Sequence, residues 1–123
     1  MIVGEFTNGD RAVIPIALLA DDGQETEIEA AIDTGFMGAL LLPQSMIRRS
    51  RLPHLDDELV LLADGTLTRL ALHEVTVVWG GERRTVAAHA ADSTPLVGIE
   101  MLRGSVGTFE FFEGGSVTIE VAE

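Results

Sequence analysis

Apolar and polar residues alternate along much of this chain, which is the pattern of β-strands that bury one face. Three segments show it clearly: Ile28, Ala30 and Ile32; Val75, Val77 and Trp79; and Val117, Ile119 and Val121. Because successive side chains of a strand point to opposite faces, the residues of each set share one face. The pattern therefore predicts that most of the chain is strand.

Short turn signals separate these alternating segments. They are Asn8-Gly9-Asp10, Asp21-Asp22-Gly23, Asp64-Gly65, Gly80-Gly81 and Gly114-Gly115. Glycine and small polar residues favour tight turns between antiparallel strands, so the spacing is typical of β-hairpins. At Asp64-Gly65 the flanking segments, Glu58 to Ala63 and Thr66 to Val78, predict a hairpin with a two-residue turn.

Helical signals are few. The segment from Pro43 to Arg49 has a proline that suits a first helical turn and arginines that suit the carboxyl end of the helix dipole. A second short helix is predicted from Ile99 to Arg103, before Gly104. An apolar strand leads into each of these helices, and this repetition suggests a pseudo-twofold arrangement. We therefore predict a mainly antiparallel, all-β fold with one or two short helices.

Length and charge narrow the possible functions. The chain has 123 residues and is expected to form a single domain over residues 1–123. Its net charge of −12 repels phosphate backbones and anionic lipids, so no nucleic acid or membrane partner is expected. The longest apolar run, from Ala12 to Ala20, is too short for a membrane helix and lacks the flanks of a signal peptide. Since cysteine is also absent, we predict a cytoplasmic protein.

One aspartate stands in an unusual place. Asp33 follows directly on the apolar segment Ala30-Ala31-Ile32 and precedes Thr34 and Gly35. A carboxylate at the edge of a core costs free energy unless it is hydrogen-bonded, so its presence there needs a reason. Thr34 can offer a hydroxyl to a neighbouring loop, and Gly35 leaves its N–H close to the carboxylate with no side chain in the way.

The segment from Ala31 to Pro43, AIDTGFMGALLLP, resembles the catalytic loop of the retropepsin-like aspartic proteases, including small cellular and bacterial members with an Asp-Thr-Gly-Phe motif. In that family the first strand, the catalytic loop, a flap hairpin and a late apolar-apolar-Gly strand leading to a short helix follow in order. Here Ala63-Asp64-Gly65-Thr66 resembles the flap tip, and the segment from Leu96 to Leu102 resembles the late strand and helix. The resemblance extends from about Thr26 to Arg103.

The resemblance implies a closed acid-protease barrel and an aspartic endopeptidase. Asp33 would be the catalytic residue, Thr34 and Gly35 would form the active-site loop, and Asp64 and Gly65 would bind substrate as part of the flap. Because the chain carries one Asp-Thr-Gly motif, two chains must form a homodimer to supply the pair of carboxylates.

The implied chemistry is hydrolysis of a polypeptide substrate without a cofactor or a metal. Two neighbouring carboxylates share one proton, because like charges in close contact cannot both ionise. The ionised carboxylate takes a proton from a bound water, and the water attacks the scissile carbonyl. The protonated carboxylate donates towards the oxyanion and the leaving nitrogen.

Two alternatives stay open. Phe36 stands where many relatives carry Ser, Thr or Ala, so a hydroxyl contact to the carboxylate is missing. The chain could therefore be an inactive peptide-binding or dimerisation module of the same fold. In the other alternative, Asp33 is a turn residue in a β-barrel that belongs to a larger assembly.

The three histidines form no metal motif. His54, His73 and His89 are far apart in the sequence and lack helical His-x-x-x-His spacing, so we predict surface histidines and no metal site. Arg48, Arg49 and Arg51 are interpreted as residues that neutralise the end of a helix.

Overall fold

The computed structural model describes residues 1–62 and 64–122. This part of the chain contains ten strands: β1 (Ile2–Thr7), β2 (Arg11–Leu19), β3 (Glu25–Ile32), β4 (Leu40–Leu42), β5 (His54–Leu61), β6 (Leu67–Trp79), β7 (Glu82–Ala90), β8 (Leu96–Val97), β9 (Ser105–Phe109) and β10 (Ser116–Val121). Two short helices, α1 (Gln44–Ser50) and α2 (Ile99–Leu102), complete it. The predicted all-β class with short helices is confirmed.

The strands form a closed barrel with two extensions. In spatial order β2, β3, β8, β4, β7 and β6 are hydrogen-bonded, and a pairing between β6 and β2 closes the ring. Strand β5 extends the sheet beyond β6, and β1, β10 and β9 extend it beyond β2. The pairings are antiparallel except for β3 with β8 and β4 with β7, which are parallel. Long-range pairings therefore hold together segments that are far apart in the sequence.

Strand β2 shares one edge between two partners. Its first residues pair with β1 from Val13 back to Arg11, and its last residues, Ala17 to Leu19, pair with β6. Pro15 lies between the two paired stretches. A proline has no N–H to donate to a neighbouring strand. Pro15 is tolerated in this central strand because it lies where β2 changes partner. The alternate residues Ile14, Ile16 and Leu18 face the core and are buried.

The core is built from the predicted apolar faces. Val75, Val77 and Trp79 are each no more than 3% exposed, and Val117 and Ile119 are no more than 1% exposed. From β3, Ile28 and Ala30 join the same core, together with Leu40, Leu42, Ile47, Val97 and Met101. The alternation in the sequence thus identified the buried faces of these strands correctly.

Both predicted helices are present, each shifted slightly from its expected ends. Pro43 is the N-cap of α1 rather than its first residue, and Arg48 and Arg49 lie in its last turn, as expected from the helix dipole. The guanidinium of Arg84, from β7, donates to two of the last three backbone carbonyls of α2, those of Glu100 (3.4 Å) and Met101 (3.3 Å). A side chain from the barrel therefore stabilises the end of a helix of only four residues.

Candidate active site

The backbone places Asp33 where two parallel strands end side by side. Ala31 and Ile32 of β3 pair with Leu96 and Val97 of β8. One residue later, the N–H of Asp33 donates to the carbonyl of Val97 over 2.9 Å. The start of the Asp33 loop is therefore fixed by the late apolar strand that the sequence resemblance singled out.

The Asp33 side chain folds back on its own loop. Its Oδ1 accepts a hydrogen bond of 2.9 Å from the backbone N–H of Gly35. A Cβ at Gly35 would lie only 3.2 Å from that oxygen, so glycine leaves room for the contact. The residue is half-buried, whereas Thr34 and Gly35 are exposed. Among the described residues, no side-chain hydrogen bond involves the Thr34 hydroxyl.

The same local hydrogen bond occurs at two ordinary turns. Asp22 accepts from the N–H of Gln24 (2.8 Å), and Asp64 accepts from the N–H of Thr66 (3.0 Å). Both of those aspartates are exposed residues of hairpin turns. The turn geometry alone therefore does not distinguish Asp33 from an ordinary turn residue. Its position does distinguish it, because Asp33 lies where β3 and β8 end side by side.

Phe36 connects the Asp33 loop to the turn at the start of α2. Its carbonyl accepts from the N–H of Ile99 (2.9 Å), and its own N–H donates to the carbonyl of Asp33 (3.2 Å). Its ring lies against two glycines: a Cβ added at Gly38 or at Gly98 would approach the ring within 2.6 Å and 2.5 Å, respectively. Both glycines are therefore required by close packing around one aromatic ring.

His89 also packs against the Phe36 ring, and the prediction of a surface histidine is wrong for it. His89 is 6% exposed, and its ring meets that of Phe36 edge to face at 5.4 Å between centroids. Its Nε2 lies 3.1 Å from Oε1 of Glu58 on β5. Its backbone lies in the interior of the sheet, where β7 pairs with β4 and with β6.

The other two histidines differ from each other. His54 is exposed and lies 3.0 Å from a carboxylate oxygen of Asp57. His73 is partly buried, and its Nδ1 lies 3.0 Å from the carbonyl oxygen of Leu52. Within residues 1–62 and 64–122, no three histidine or acidic side chains are grouped closely enough to hold a metal ion.

The β5–β6 hairpin carries the predicted flap residues, but its turn differs from the prediction. Leu62 pairs with Thr66, since its N–H donates to the Thr66 carbonyl over 2.8 Å, and Gly65 donates to the Leu62 carbonyl over 3.0 Å. Three residues lie between this pair, so the predicted two-residue turn is wrong. Gly65 has a φ of +86°, as longer hairpin loops require. Ala63, the first residue of the predicted flap tip, lies outside the described residues.

Asp64 stabilises the turn that follows it. Both the hydroxyl and the backbone N–H of Thr66 donate to Oδ1 of Asp64. These two hydrogen bonds hold the pKa of Asp64 below its ordinary value. Among the described residues, no hydrogen bond or ion pair joins Asp64 or Gly65 to the Asp33 loop. The hairpin is connected to that loop through Glu58, His89 and Phe36 instead.

An open apolar groove of about 290 Å³ lies beside the Asp33 loop. Its lining includes Ile32 at the end of β3, Thr34 from the loop, Ile99 from α2, and Phe109 and Ile119 from the terminal strands. The loop and the terminal strands therefore form one continuous surface.

None of the helices in the described part of the chain is long and apolar enough to cross a membrane.

Solved structures with the same architecture identify the fold. The EIAV protease in complex with the inhibitor HBY-793 superimposes with a TM-score of 0.61 at 15% sequence identity, over 80% of this chain and 90% of that one. A retropepsin-like aspartic protease from Rickettsia conorii gives a TM-score of 0.59 at 16% identity, over 98% of this chain and 90% of that one. The chain has the retropepsin-like fold. Neither the known protein-family models nor the curated proteins match its sequence.

The retropepsin-like fold was recognisable from the sequence, but the burial of His89 next to the Asp33 loop was not. His89 lies in the small apolar stretch Ala87-Ala88-His89-Ala90-Ala91. A single polar residue within such a stretch of a strand was the available signal, because a buried imidazole needs a hydrogen-bond partner from another element. The roles of Asp33, Thr34, Gly35, Asp64 and Gly65 stay predictions.

Proposed function

We propose that the chain is an aspartic endopeptidase that acts as a homodimer on polypeptide substrates, with residues 1–123 as its single catalytic domain. The observation that carries the proposal is the position of Asp33: a half-buried aspartate, directly after the end of β3, in the Asp-Thr-Gly loop of a retropepsin-like fold. A location in the cytoplasm stays a prediction of the sequence.

The proposed chemistry needs two copies of this loop. In each chain the bond from Gly35 orients one oxygen of Asp33, and the second oxygen has no partner among the described residues. Face to face, two such carboxylates hold one proton between them. The ionised carboxylate takes a proton from the water that attacks the peptide carbonyl, and the protonated carboxylate gives its proton to the oxyanion. The proton taken from the water then passes to the leaving nitrogen, and a hydroxyl of the tetrahedral intermediate returns a proton to the other carboxylate as the C–N bond breaks, so the pair again holds one proton.

The surface around the loop supports pairing with a second copy. Thr34 is exposed, and the groove next to it is lined mainly by apolar side chains such as Ile32 and Phe109. A twofold axis through the loop would bury this surface and bring the two Asp33 side chains together. Thr34 would then lie where its hydroxyl can reach the loop of the partner chain.

The test compares Asp33→Asn with wild type in cleavage of a denatured protein between about pH 3.5 and pH 7. An asparagine retains the oxygen that accepts from Gly35, so the variant should fold normally. We expect a loss of cleavage of about 10³-fold or more, because an amide cannot transfer the proton. Asp22→Asn is the matched control, since Asp22 accepts the same kind of hydrogen bond at an exposed turn.

Mixing the chains tests whether the carboxylates are shared. An excess of Asp33→Asn should lower the activity per wild-type chain, because most wild-type chains would then pair with an inactive partner. An activity per wild-type chain that does not respond to the excess variant would refute the shared pair of carboxylates.

The inactive binding module is the second candidate, and Phe36 favours it. A phenylalanine cannot supply the hydroxyl contact to Asp33 that a serine or threonine at this position could, and its ring packs on Gly38, Gly98 and His89. A folded wild-type dimer that cleaves nothing at any pH, yet binds extended peptides, would establish this candidate instead.

A further inference from the structure

A buried histidine lies between the Asp33 loop and the flap hairpin, formed by β5, β6 and their turn. The His89 side chain is 7% exposed, and in β7 it is paired across from Leu41 of β4 and Leu72 of β6. Burying an imidazole costs free energy unless its polar atoms are hydrogen-bonded. Its contacts therefore indicate what it does.

His89 contacts the Asp33 loop on one side and the flap hairpin on the other. On one side the imidazole meets the Phe36 ring at 5.4 Å between centroids. On the other side its Nε2 lies 3.1 Å from Oε1 of Glu58, which is 31 residues away in the sequence and lies in the flap hairpin. Glu58 is 54% exposed, so the carboxylate reaches the imidazole from the solvent side.

The hydrogen-bond pattern fixes the direction of the bond. Nδ1 of His89 is buried and has no partner among the described residues. A hydrogen on Nδ1 would be a buried donor without an acceptor. An unprotonated Nδ1 in the same place costs less free energy. The hydrogen therefore belongs on Nε2, and it is donated to the Glu58 carboxylate.

The Phe36 side of the contact cannot shift easily. Gly38 is so close that a Cβ there would lie 2.9 Å from the imidazole Cε1 and 2.6 Å from the Phe36 ring. The Phe36 backbone is bonded to Asp33 and to Ile99. The imidazole is thus held in a fixed position relative to the Asp33 loop, and Glu58 ties the flap hairpin to it.

We propose that His89 is a positioning residue that sets the flap hairpin relative to the Asp33 loop, through its hydrogen bond to Glu58. The proposal rests on the proposed protease function for its role in substrate binding. A hairpin held in place before substrate arrives loses less conformational freedom on binding, so the bond should improve substrate affinity more than the chemical step. The expected signature is a change in KM with little change in kcat.

Glu58 offers the cleaner site for a test because it is half-exposed and the barrel does not depend on it. Glu58→Ala should raise KM about fivefold while kcat stays within about twofold, as expected for the loss of one hydrogen bond to a partly exposed charge. Glu58→Gln keeps an oxygen that can accept from Nε2 and should restore most of the affinity. Glu82→Ala is the matched control, since Glu82 is an exposed carboxylate at the far end of β7.

The double variant with His89→Ala separates coupling from simple destabilisation. If the two residues act through one bond, Glu58→Ala should have no further effect on KM in the His89→Ala background. Should His89→Ala fail to fold, the comparison of Glu58→Ala with Glu58→Gln still decides. An unchanged KM in Glu58→Ala, or equal losses in Glu58→Ala and Glu58→Gln, would overturn the proposal.

Amide hydrogen exchange provides a readout that does not need activity. In Glu58→Ala, the amides of the hairpin turn, such as those of Leu62 and Gly65, should exchange several-fold faster, while those of the β9–β10 hairpin should not change. Unchanged exchange at the turn would refute the coupling even if the protein is an active protease. If wild type cleaves nothing but the turn responds as expected, the proposed function fails and the coupling stands.

Discussion

Gly98→Ala tests whether the Asp33 loop is interlocked with the turn that begins α2. A Cβ at position 98 would lie 2.2 Å from the carbonyl oxygen of Gly38 and 2.6 Å from that of Phe36. Such distances are far below van der Waals contact, so the loop and the turn would have to separate by roughly 1 Å. The neighbours are backbone atoms, which cannot turn aside as a flexible side chain can.

The cost follows from the hydrogen bonds that this movement weakens. The Gly38 carbonyl accepts from Glu100 (3.2 Å) and the Phe36 carbonyl accepts from Ile99 (2.9 Å). Each bond contributes about 1 kcal/mol net, and forcing an extra carbon into a packed site costs about 1–3 kcal/mol more. We expect a loss of about 3–5 kcal/mol, a large share of the 5–15 kcal/mol that typically stabilises a domain.

Urea unfolding followed by the fluorescence of Trp79, the single tryptophan and a buried one, measures this loss. With an m-value of about 1.5 kcal/mol/M, the midpoint should fall by about 2 M or more. Gly9→Ala is the control: Gly9 has a φ of +71° but nothing within 4 Å, so only its left-handed conformation should cost free energy, about 1 kcal/mol. If Gly98→Ala is no less stable than Gly9→Ala, the interlocking of the loop is refuted.

Two further predictions concern the ends of secondary-structure elements. The backbone N–H and the hydroxyl of Ser116 hold the pKa of Glu110 below its ordinary value, so their stabilisation is present above the pKa of an unfolded glutamate and is lost as the pH falls through the folded value. Ser116→Ala should therefore lower the urea midpoint at about pH 7 but hardly at about pH 3, and an equal effect at both would contradict this. Arg84→Gln should cost about 1 kcal/mol, because the bonds to the last carbonyls of α2 are lost. Arg83→Gln, at the exposed neighbouring position, should stay within about 0.5 kcal/mol of wild type, and thermal unfolding of the two variants compares them.

Local patterns in the sequence predicted the parts of the fold that depend on local physics. The buried faces of β6 and β10 follow from the two-residue period, and the hairpins follow from glycine-containing turns. The pairing of β6 with β2 and the insertion of β8 between β3 and β4 were not predictable in this way. Such pairings join segments far apart in the chain and leave no periodic signal.

The same distinction applies to the candidate site. The sequence singled out Asp33 and Gly35 because the chemistry proposed for them lies within one short motif, and the expected contact between the Gly35 N–H and the Asp33 carboxylate is present at 2.9 Å. The contact between Glu58 and His89 was missed because each residue, taken alone, resembles a surface residue. The turn at Asp64-Gly65 was predicted one residue too short because these two residues also fit a longer loop, in which glycine takes the left-handed position.

A single chain positions its own Asp33, but the proposed activity also needs the Asp33 of a second chain. Folding alone fixes the carboxylate, through the N–H of Gly35 and the carbonyl of Val97. Sharing a proton requires another carboxylate in contact, and two chains that each carry a charge of −12 repel one another at neutral pH. Acidification neutralises surface carboxylates and also supplies the shared proton, so it favours association and the reactive state together. In the proposed enzyme, the folded chain positions Asp33 and association makes it reactive.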